Sequence, residues 1–146
     1  MYTIGQVSQM TGLPISTLRY YDKVGLFSDL KRESGIRKFD DHDLDRIKTI
    51  ECMKRSGLEI KDIKQYLDWC EEGESTLEQR LGLFERQLEV VEGQLEQLER
   101  TRSLLLFKRW FYRECLAGAC EEDLLALRPD GFPPEAQALY DHAYDR

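Results

Sequence analysis

The chain of 146 residues has no apolar run long enough to span a membrane, and no secretory signal precedes its first predicted helix. It has only two histidines, His42 and His142, and neither lies in a spaced motif with a nucleophile. Glycine-rich phosphate loops are also absent. We therefore expect a cytoplasmic protein that is not an enzyme, carries no cofactor and has no membrane partner.

Cysteine is scarce as well, with four residues, which we expect to be reduced thiols or sensors rather than structural disulfides. Charge is unevenly distributed, because residues 1–40 carry a net charge of +2 within a total of −7. The remaining residues therefore carry −9. An acidic body with a basic head is typical of a protein that binds DNA through one surface.

Residues 3–25 predict two short helices separated by a tight turn. Thr3 and Gln6 have the spacing of a capping box, so the first helix is expected to begin at Ile4. Gly12 suits the left-handed residue that ends a helix. The buried face of this helix is predicted to carry Ile4, Val7 and Met10. The pattern favours a helix-turn-helix, whose second helix enters the major groove.

The second helix has an inner face and an outer flank. Leu18, Tyr21 and Val24 are predicted to face the core. Arg19 and Tyr20 fall on the flank that the core does not need, where a guanidinium can read guanine or clamp a phosphate. The alternative is a solvated helix face with an incidental arginine.

A basic β-hairpin is predicted next. Residues 30–32 and 36–39 flank a Ser34-Gly35 turn, and both flanks are short and compatible with strands. The four cations on this ribbon are expected to repel one another unless a polyanion lies nearby. We interpret the ribbon as a DNA-binding wing, with a solvated basic loop as the alternative. The predicted DNA-binding residues are Ser16, Thr17, Arg19, Tyr20, Tyr21, Lys31, Arg32, Gly35, Arg37 and Lys38.

Four motifs carry a family resemblance, namely TIGQVS at 3–8, TLRYYD at 17–22, VGLF at 24–27 and SGIRKFD at 34–40. Through them, residues 1–73 resemble the DNA-binding domain of the MerR family of bacterial transcription regulators. The resemblance implies a homodimer bound to double-stranded promoter DNA at a two-fold operator, together with RNA polymerase. It also implies promoters with an over-long spacer, which such regulators bend and untwist against the elasticity of DNA.

Two further helices follow the wing. Asp41 is predicted to cap a helix whose apolar stripe contains Leu44, Ile47, Ile50 and Met53. Ile60, Ile63 and Leu67 line the next helix. Lys54 and Lys61 are candidates for contacts with flanking phosphates.

A heptad stripe then predicts a long coiled-coil helix, with a capping box at Ser75 and Glu78. The stripe contains Leu77, Leu81, Phe84, Leu88, Val91, Leu95 and Leu98, with Arg102 before Leu105. A lone helix would expose roughly several hundred Å² of apolar surface, which a soluble monomer avoids. The resemblance implies that the antiparallel helix of a second subunit covers it. Packing on the C-terminal segment is the alternative. Glu78, Glu85, Glu92 and Glu99 share one flanking column, which fits an antiparallel dimer poorly.

We therefore predict a mainly α-helical protein in three parts: a winged helix-turn-helix domain at 1–73, an antiparallel coiled-coil dimerisation helix at 75–113, and a short C-terminal helical tail at 114–146.

Cys52 is the candidate sensor. It lies opposite the apolar stripe of its helix, with Lys48 and Arg55 within one turn, and two cations favour the reactive thiolate form. Cys70 instead falls on an apolar stripe and is expected to be buried. Residues 50–58 (IECMKRSGL) resemble the branch of the MerR family that responds to aldehydes, other electrophiles or oxidants. The alternative is that Cys52 is an unreactive thiol.

The C-terminal tail offers a second place for a signal to enter. Leu106, Phe107, Trp110, Phe111 and Tyr112 form an aromatic group that either lines a ligand pocket or fixes the tail. A small ligand or a metal bound at this end is therefore the alternative switch. We expect that Cys115 and Cys120 do not form a high-affinity metal site.

Overall fold

The computed structural model describes residues 1–146 and is mainly helical. Its elements, in chain order, are β1 (Tyr2–Thr3), α1 (Ile4–Thr11), α2 (Ile15–Lys23), β2 (Lys31–Glu33), β3 (Ile36–Phe39), α3 (Asp41–Arg55), α4 (Ile60–Glu72), a 3₁₀ turn (Glu74–Thr76), α5 (Leu77–Leu116), α6 (Glu121–Ala126) and α7 (Pro134–Ala143). The chain forms two compact units, Met1–Leu88 and Glu89–Arg146. None of its helices combines the length and the apolar character that a membrane crossing requires.

The predicted helix-turn-helix is present as α1 and α2. Thr3 and Gln6 form the expected capping box, and Gly12 ends α1 in the left-handed conformation with a φ of 74°. Val7, Leu18 and Tyr21 lie in the core of the first unit. Met10 is 57% exposed, so its predicted burial is wrong. Each step of three residues drifts about 60° around a helix, which carries Met10 off the face that Val7 occupies.

The wing is a three-stranded antiparallel sheet with the order β1-β3-β2. Ser34 and Gly35 both have positive φ angles, 50° and 80°, as a tight two-residue hairpin turn requires. The resulting register pairs Arg32 with Arg37. The two-residue strand β1 was not predicted, because so short a segment carries no alternation of its own.

Helices α3 and α4 complete the core of the first unit. The four predicted apolar residues of α3 are buried, as are Ile63 and Leu67 of α4. The predicted cap of α3 is wrong by one residue. Asp40 is the N-cap, and it exchanges two hydrogen bonds of 3.0 Å with Asp43 in a capping box.

The long helix α5 is present, but it does not begin with the predicted capping box. The 3₁₀ turn moves the first helical residue to Leu77, beyond the position that Ser75 would cap. Thr76 is buried instead, and its hydroxyl donates to the Trp69 carbonyl at 2.6 Å. The first turns of α5 belong to the first compact unit, where Leu83 is buried in the core.

The second unit has its own small core, formed by Phe107, Phe111, Leu124, Phe132 and Ala136. Most of the aromatic side chains at the end of α5 therefore fix the tail. Two polar contacts also join α7 and the residues after it to α5. Ser103 Oγ lies 2.7 Å from His142 Nδ1, and Arg100 forms an ion pair of 3.0 Å with Asp145.

Candidate nucleic-acid interface

Helix α2 presents a polar face that the core does not use. Ser16, Arg19, Tyr20 and Lys23 are all exposed, and their spacing of i, i+3, i+4 and i+7 places them on one side of the helix. Arg19 and Lys23 form no ion pair, so both charges are available to a polyanion. Lys23 was missing from the predicted site, although its position four residues after Arg19 was the signal that could have found it.

Tyr21 differs from the other predicted DNA-binding residues because its ring is only 1% exposed. Its hydroxyl donates to Glu51 at 2.5 Å and accepts from Lys54 at 2.8 Å. Burial and the hydrogen bond to Glu51 raise the pKa of Tyr21 above its ordinary value. The inner-face prediction for Tyr21 is confirmed, and a direct contact between its ring and DNA conflicts with its burial.

Asp22 anchors the wing to α2. Its Oδ2 accepts from Arg32 Nη2 and from Arg37 Nε, both at 2.6 Å. Lys38 lies 3.6 Å from Glu33 and Lys31 lies 4.0 Å from Asp40. The expectation that the ribbon cations need an external polyanion is therefore wrong, since carboxylates of this chain already offset their repulsion. The wing and the outer face of α2 are joined into one basic surface.

A second ionic contact joins α3 to α4 and to the loop that follows α2. The Arg46 guanidinium donates to Ser28 Oγ at 2.8 Å and to Glu71 at 2.5 Å. The hydrogen bond from Arg46 lowers the pKa of the Glu71 carboxyl. The remaining predicted phosphate contact, Lys61, is exposed and lies 3.4 Å from Glu59.

The four cysteines are free. Cys52 is exposed, as predicted, and its Sγ lies 3.5 Å from Arg55 Nη2. Lys48 instead pairs with Asp45 at 3.0 Å, so only one of the two expected cations contacts the thiol.

The predicted burial of Cys70 is wrong, because this residue is exposed. It lies in the last turn of α4, where a step of three residues from Leu67 turns it about 60° off the buried face. Its Sγ is 4.0 Å from Arg80, and it lines a cavity of about 370 Å³ with Arg46 and Tyr66. Cys115 is half-buried and Cys120 is exposed.

Two other places bear on ligand binding. Asp40, His42 and Asp43 bring ligand atoms within 4.8 Å of one another, but the two carboxylates already form the capping box of α3. In the second unit, a groove of about 290 Å³ is lined by residues of α5 and α7, including Arg109, Trp110 and Arg113.

Comparison with known proteins places this architecture in a family. Residues 2–69 match the MerR HTH family of regulatory proteins, and residues 44–106 match the family described as MerR, DNA binding. An uncharacterized HTH-type transcriptional regulator of Haemophilus influenzae is 38% identical over 117 residues, which are 80% of this chain and 87% of the relative. The HTH-type regulator AdhR of Bacillus subtilis is 42% identical over 82 residues, covering 56% of this chain and 59% of AdhR.

A solved structure agrees with these matches. It is that of HiNmlR, a MerR family regulator lacking the sensor domain, bound to promoter DNA, and it superimposes with a TM-score of 0.66. The two proteins are 36% identical, and the match covers 84% of this chain and 98% of that one. With its winged helix-turn-helix and long helix, this chain therefore belongs to the MerR family of DNA-binding transcriptional regulators, and it is not an enzyme.

Proposed function

We propose that the basic surface formed by α2 and the wing binds promoter DNA at a two-fold operator. The observation that carries this proposal is the exposed face of α2, whose Arg19 and Lys23 have no internal partner, beside a wing that Asp22 holds in place. The similarity to HiNmlR, whose structure contains promoter DNA, supports it.

Within this surface, α2 enters the major groove and the wing lies along the backbone. Arg19 and Tyr20 are the base- and phosphate-reading side chains of α2, with Ser16 and Thr17 at the start of the same face. The wing supplies Lys31, Arg32, Gly35, Arg37 and Lys38. Tyr21 supports this face of α2 from inside the protein, because its ring is buried in the core.

A second copy of the chain covers the heptad stripe. Leu88, Leu95, Leu98 and Leu105 are each at least 55% exposed in the single chain. The tail does not cover them, since it packs on Phe107 and on the side of α5 that lies about 200° from Leu105. This arrangement disfavours intramolecular covering and supports a coiled-coil homodimer.

Charge along α5 sets the direction of this dimer. Residues 77–99 contain six glutamates and two arginines, a net charge of −4. Residues 100–116 contain five cations and one glutamate, a net charge of +4. An antiparallel pair places each acidic half beside a basic half, whereas a parallel pair places like charges together. In that direction Glu78, at the start of the glutamate column, faces the basic half of the partner helix.

The dimer bends and untwists a promoter whose spacer is over-long, so that RNA polymerase can use that promoter. Cys52 is the proposed switch, since its exposed thiol lies beside Arg55 and next to Glu51, which bonds Tyr21 of α2. The resemblance of residues 50–58 to the branch that responds to aldehydes, other electrophiles or oxidants supports such a signal. The groove at Trp110 is the second candidate, because it brings apolar side chains of α5 and α7 together with two arginines and two glutamates, a lining that suits a small ligand with both apolar and polar groups.

Operator binding by an Arg19→Ala variant tests the proposal. The probes are a duplex selected by the wild-type protein from a random pool and a random duplex of equal length. We expect Arg19→Ala to lose about 1–3 kcal/mol of preference for the selected duplex. Arg128→Ala in the tail is the control. Equal preference in both variants would show that α2 does not read the sequence.

A further inference from the structure

A three-residue network joins α2 to α3. The Tyr21 hydroxyl donates to Glu51 Oε1 at 2.5 Å and accepts from Lys54 Nζ at 2.8 Å. Lys54 closes the triangle, because its Nζ also lies 3.6 Å from Glu51 Oε1 and 5.4 Å from the centre of the Tyr21 ring. These are the only side-chain hydrogen bonds between the two helices, and they link residues that are 30 and 33 positions apart.

The chemistry of the three groups is complementary. A phenol has one proton to donate and lone pairs to accept, a carboxylate only accepts, and an ammonium only donates. Burial and Glu51 raise the pKa of Tyr21, and the hydrogen bond to Tyr21 raises the pKa of Lys54. The phenol therefore keeps its proton and the lysine keeps its charge at neutral pH, so the network is complete under ordinary conditions.

The position of this network on α2 gives it a consequence for recognition. Tyr21 directly follows Tyr20 and lies two residues after Arg19, the two side chains proposed to read DNA. Helix α2 has only nine residues, and a helix of that length depends on tertiary contacts for its conformation. Any rotation of α2 about its own axis would move Arg19 and Tyr20 sideways across the groove while breaking the Tyr21 hydrogen bonds.

We propose that Tyr21, Glu51 and Lys54 are positioning residues, which fix the angle of α2 so that Arg19 meets the bases of the operator. The proposal rests on the proposed role of α2 in reading DNA. It predicts an effect on sequence preference without an effect on the number of phosphate contacts. A Lys54 that bound phosphate directly would act on all DNA and on its salt dependence.

The Tyr21→Phe variant tests the network, because it removes one hydroxyl and keeps the buried ring. Binding is measured on the wild-type-selected duplex and on the random duplex at several salt concentrations. We expect the affinity for the selected duplex to fall about five- to a hundredfold, the equivalent of the two hydrogen bonds that the hydroxyl makes. The affinity for the random duplex and the slope of log Kd against log salt should stay unchanged. Lys54→Met should lose preference in the same way.

Matched controls separate positioning from a general loss of structure. Tyr2→Phe also removes a hydroxyl that donates to a carboxylate of α3, Asp41, at 2.9 Å, but from β1 instead of α2, and it should bind as the wild type does. Glu51→Gln keeps an acceptor for Tyr21 and should retain more preference than Glu51→Ala. Thermal unfolding of each variant checks that it is folded.

Three results would overturn the proposal. Unchanged preference in Tyr21→Phe would show that the hydroxyl has no positioning role. If Lys54→Met binds both duplexes more weakly by the same factor and with a shallower salt dependence, Lys54 contacts a phosphate directly. If Arg19→Ala also keeps full preference, the proposed role of α2 fails together with the network, whereas a loss in Arg19→Ala alone leaves that role standing.

Discussion

Asp22 lowers the net charge of the basic surface that we propose binds DNA. It neutralises part of the wing by holding both Arg32 and Arg37, and at the same time it ties the wing to α2. The wing was predictable from residues close together in the sequence. The anchoring of the wing by Asp22 was not predictable, because Arg32 and Arg37 lie 10 and 15 positions away from Asp22 in the sequence.

Replacement of Asp22 by Asn should therefore separate charge from geometry. We expect Asp22→Asn to bind random DNA more tightly, since two arginines lose their internal carboxylate, and to bind it with a steeper salt dependence. Preference for the selected duplex should fall because the wing is no longer fixed. Asp29→Asn is the matched control, with the same change of charge at an exposed residue. Titrations of both duplexes at several salt concentrations would measure these effects, and weaker binding to random DNA would contradict the account.

The wing itself is tested by Arg37→Ala. We expect this variant to bind the selected duplex more weakly and to show a shallower salt dependence, because one lost phosphate contact releases about one counterion fewer. The same titrations would measure both quantities, with Arg128→Ala as the control. If affinity and salt slope both stay at their wild-type values, Arg37 does not contact the backbone.

Cys52 can be tested against a second exposed thiol in the same unit. After treatment with an alkylating electrophile, we expect transcription from the target promoter in vitro to change for the wild type and for Cys70→Ser, but not for Cys52→Ser. Because both thiols are exposed, labelling rates alone do not distinguish them, and transcription is the decisive readout. A normal response by Cys52→Ser would move the signal to another site, with the groove at Trp110 as the next candidate.

At the scale of elements, the start of a helix was predictable to within one residue where its capping residues lie within one turn of each other. The capping box at Thr3 was predicted in this way, whereas the box at Asp40 was predicted one residue too late, at Asp41. The start of α5 did not follow its local pattern, because Thr76 bonds the Trp69 carbonyl seven residues earlier and draws the chain into a 3₁₀ turn. The exposure of Cys70 follows from its place in the last turn of α4, where the step of three residues from Leu67 turns it off the buried face.

The cap of α3 predicts a dependence of stability on pH. The backbone N–H of Asp43 lowers the pKa of Asp40 below its ordinary value of 3.8. A carboxyl whose pKa is lower in the folded than in the unfolded protein stabilises the fold. This contribution is complete above the pKa of the unfolded state and is lost as the pH falls through the pKa of the folded state. We therefore expect the stability advantage of the wild type over Asp40→Asn to shrink between about pH 5 and about pH 2. Urea unfolding at each pH measures it, and an advantage that grows in acid would contradict the assignment.

The apolar stripe of α5 predicts a dimer that charge can break. Leu88→Glu combined with Leu95→Glu would bury carboxylates in a dry interface, at a cost of a few kcal/mol each, about 2–4. We expect this double variant to sediment as a monomer. The control, Gln94→Glu with Gln97→Glu, adds the same charge at exposed positions off the stripe and should remain a dimer. A dimeric Leu88/Leu95 variant would show that the interface lies elsewhere.

At the scale of the whole molecule, the sequence predicted the family and a long helix with an apolar stripe, since both are written in short-range periodicity and in motifs. It did not predict that the tail would pack on the far side of α5 from that stripe, because the contacts of Ser103 with His142 and of Arg100 with Asp145 join residues about forty positions apart. That placement leaves the stripe uncovered within the chain, as the proposed dimer requires.

The central claim, that two chains bind one two-fold operator, is tested most directly by an experiment in two steps. The wild-type chain selects duplexes from a random pool, and the mass of the resulting complex is then measured. The account predicts an inverted repeat bound by two chains, with two-fold symmetry matching that of the antiparallel dimer. Selection of a single unrepeated sequence, or a complex of one chain per duplex, would contradict it.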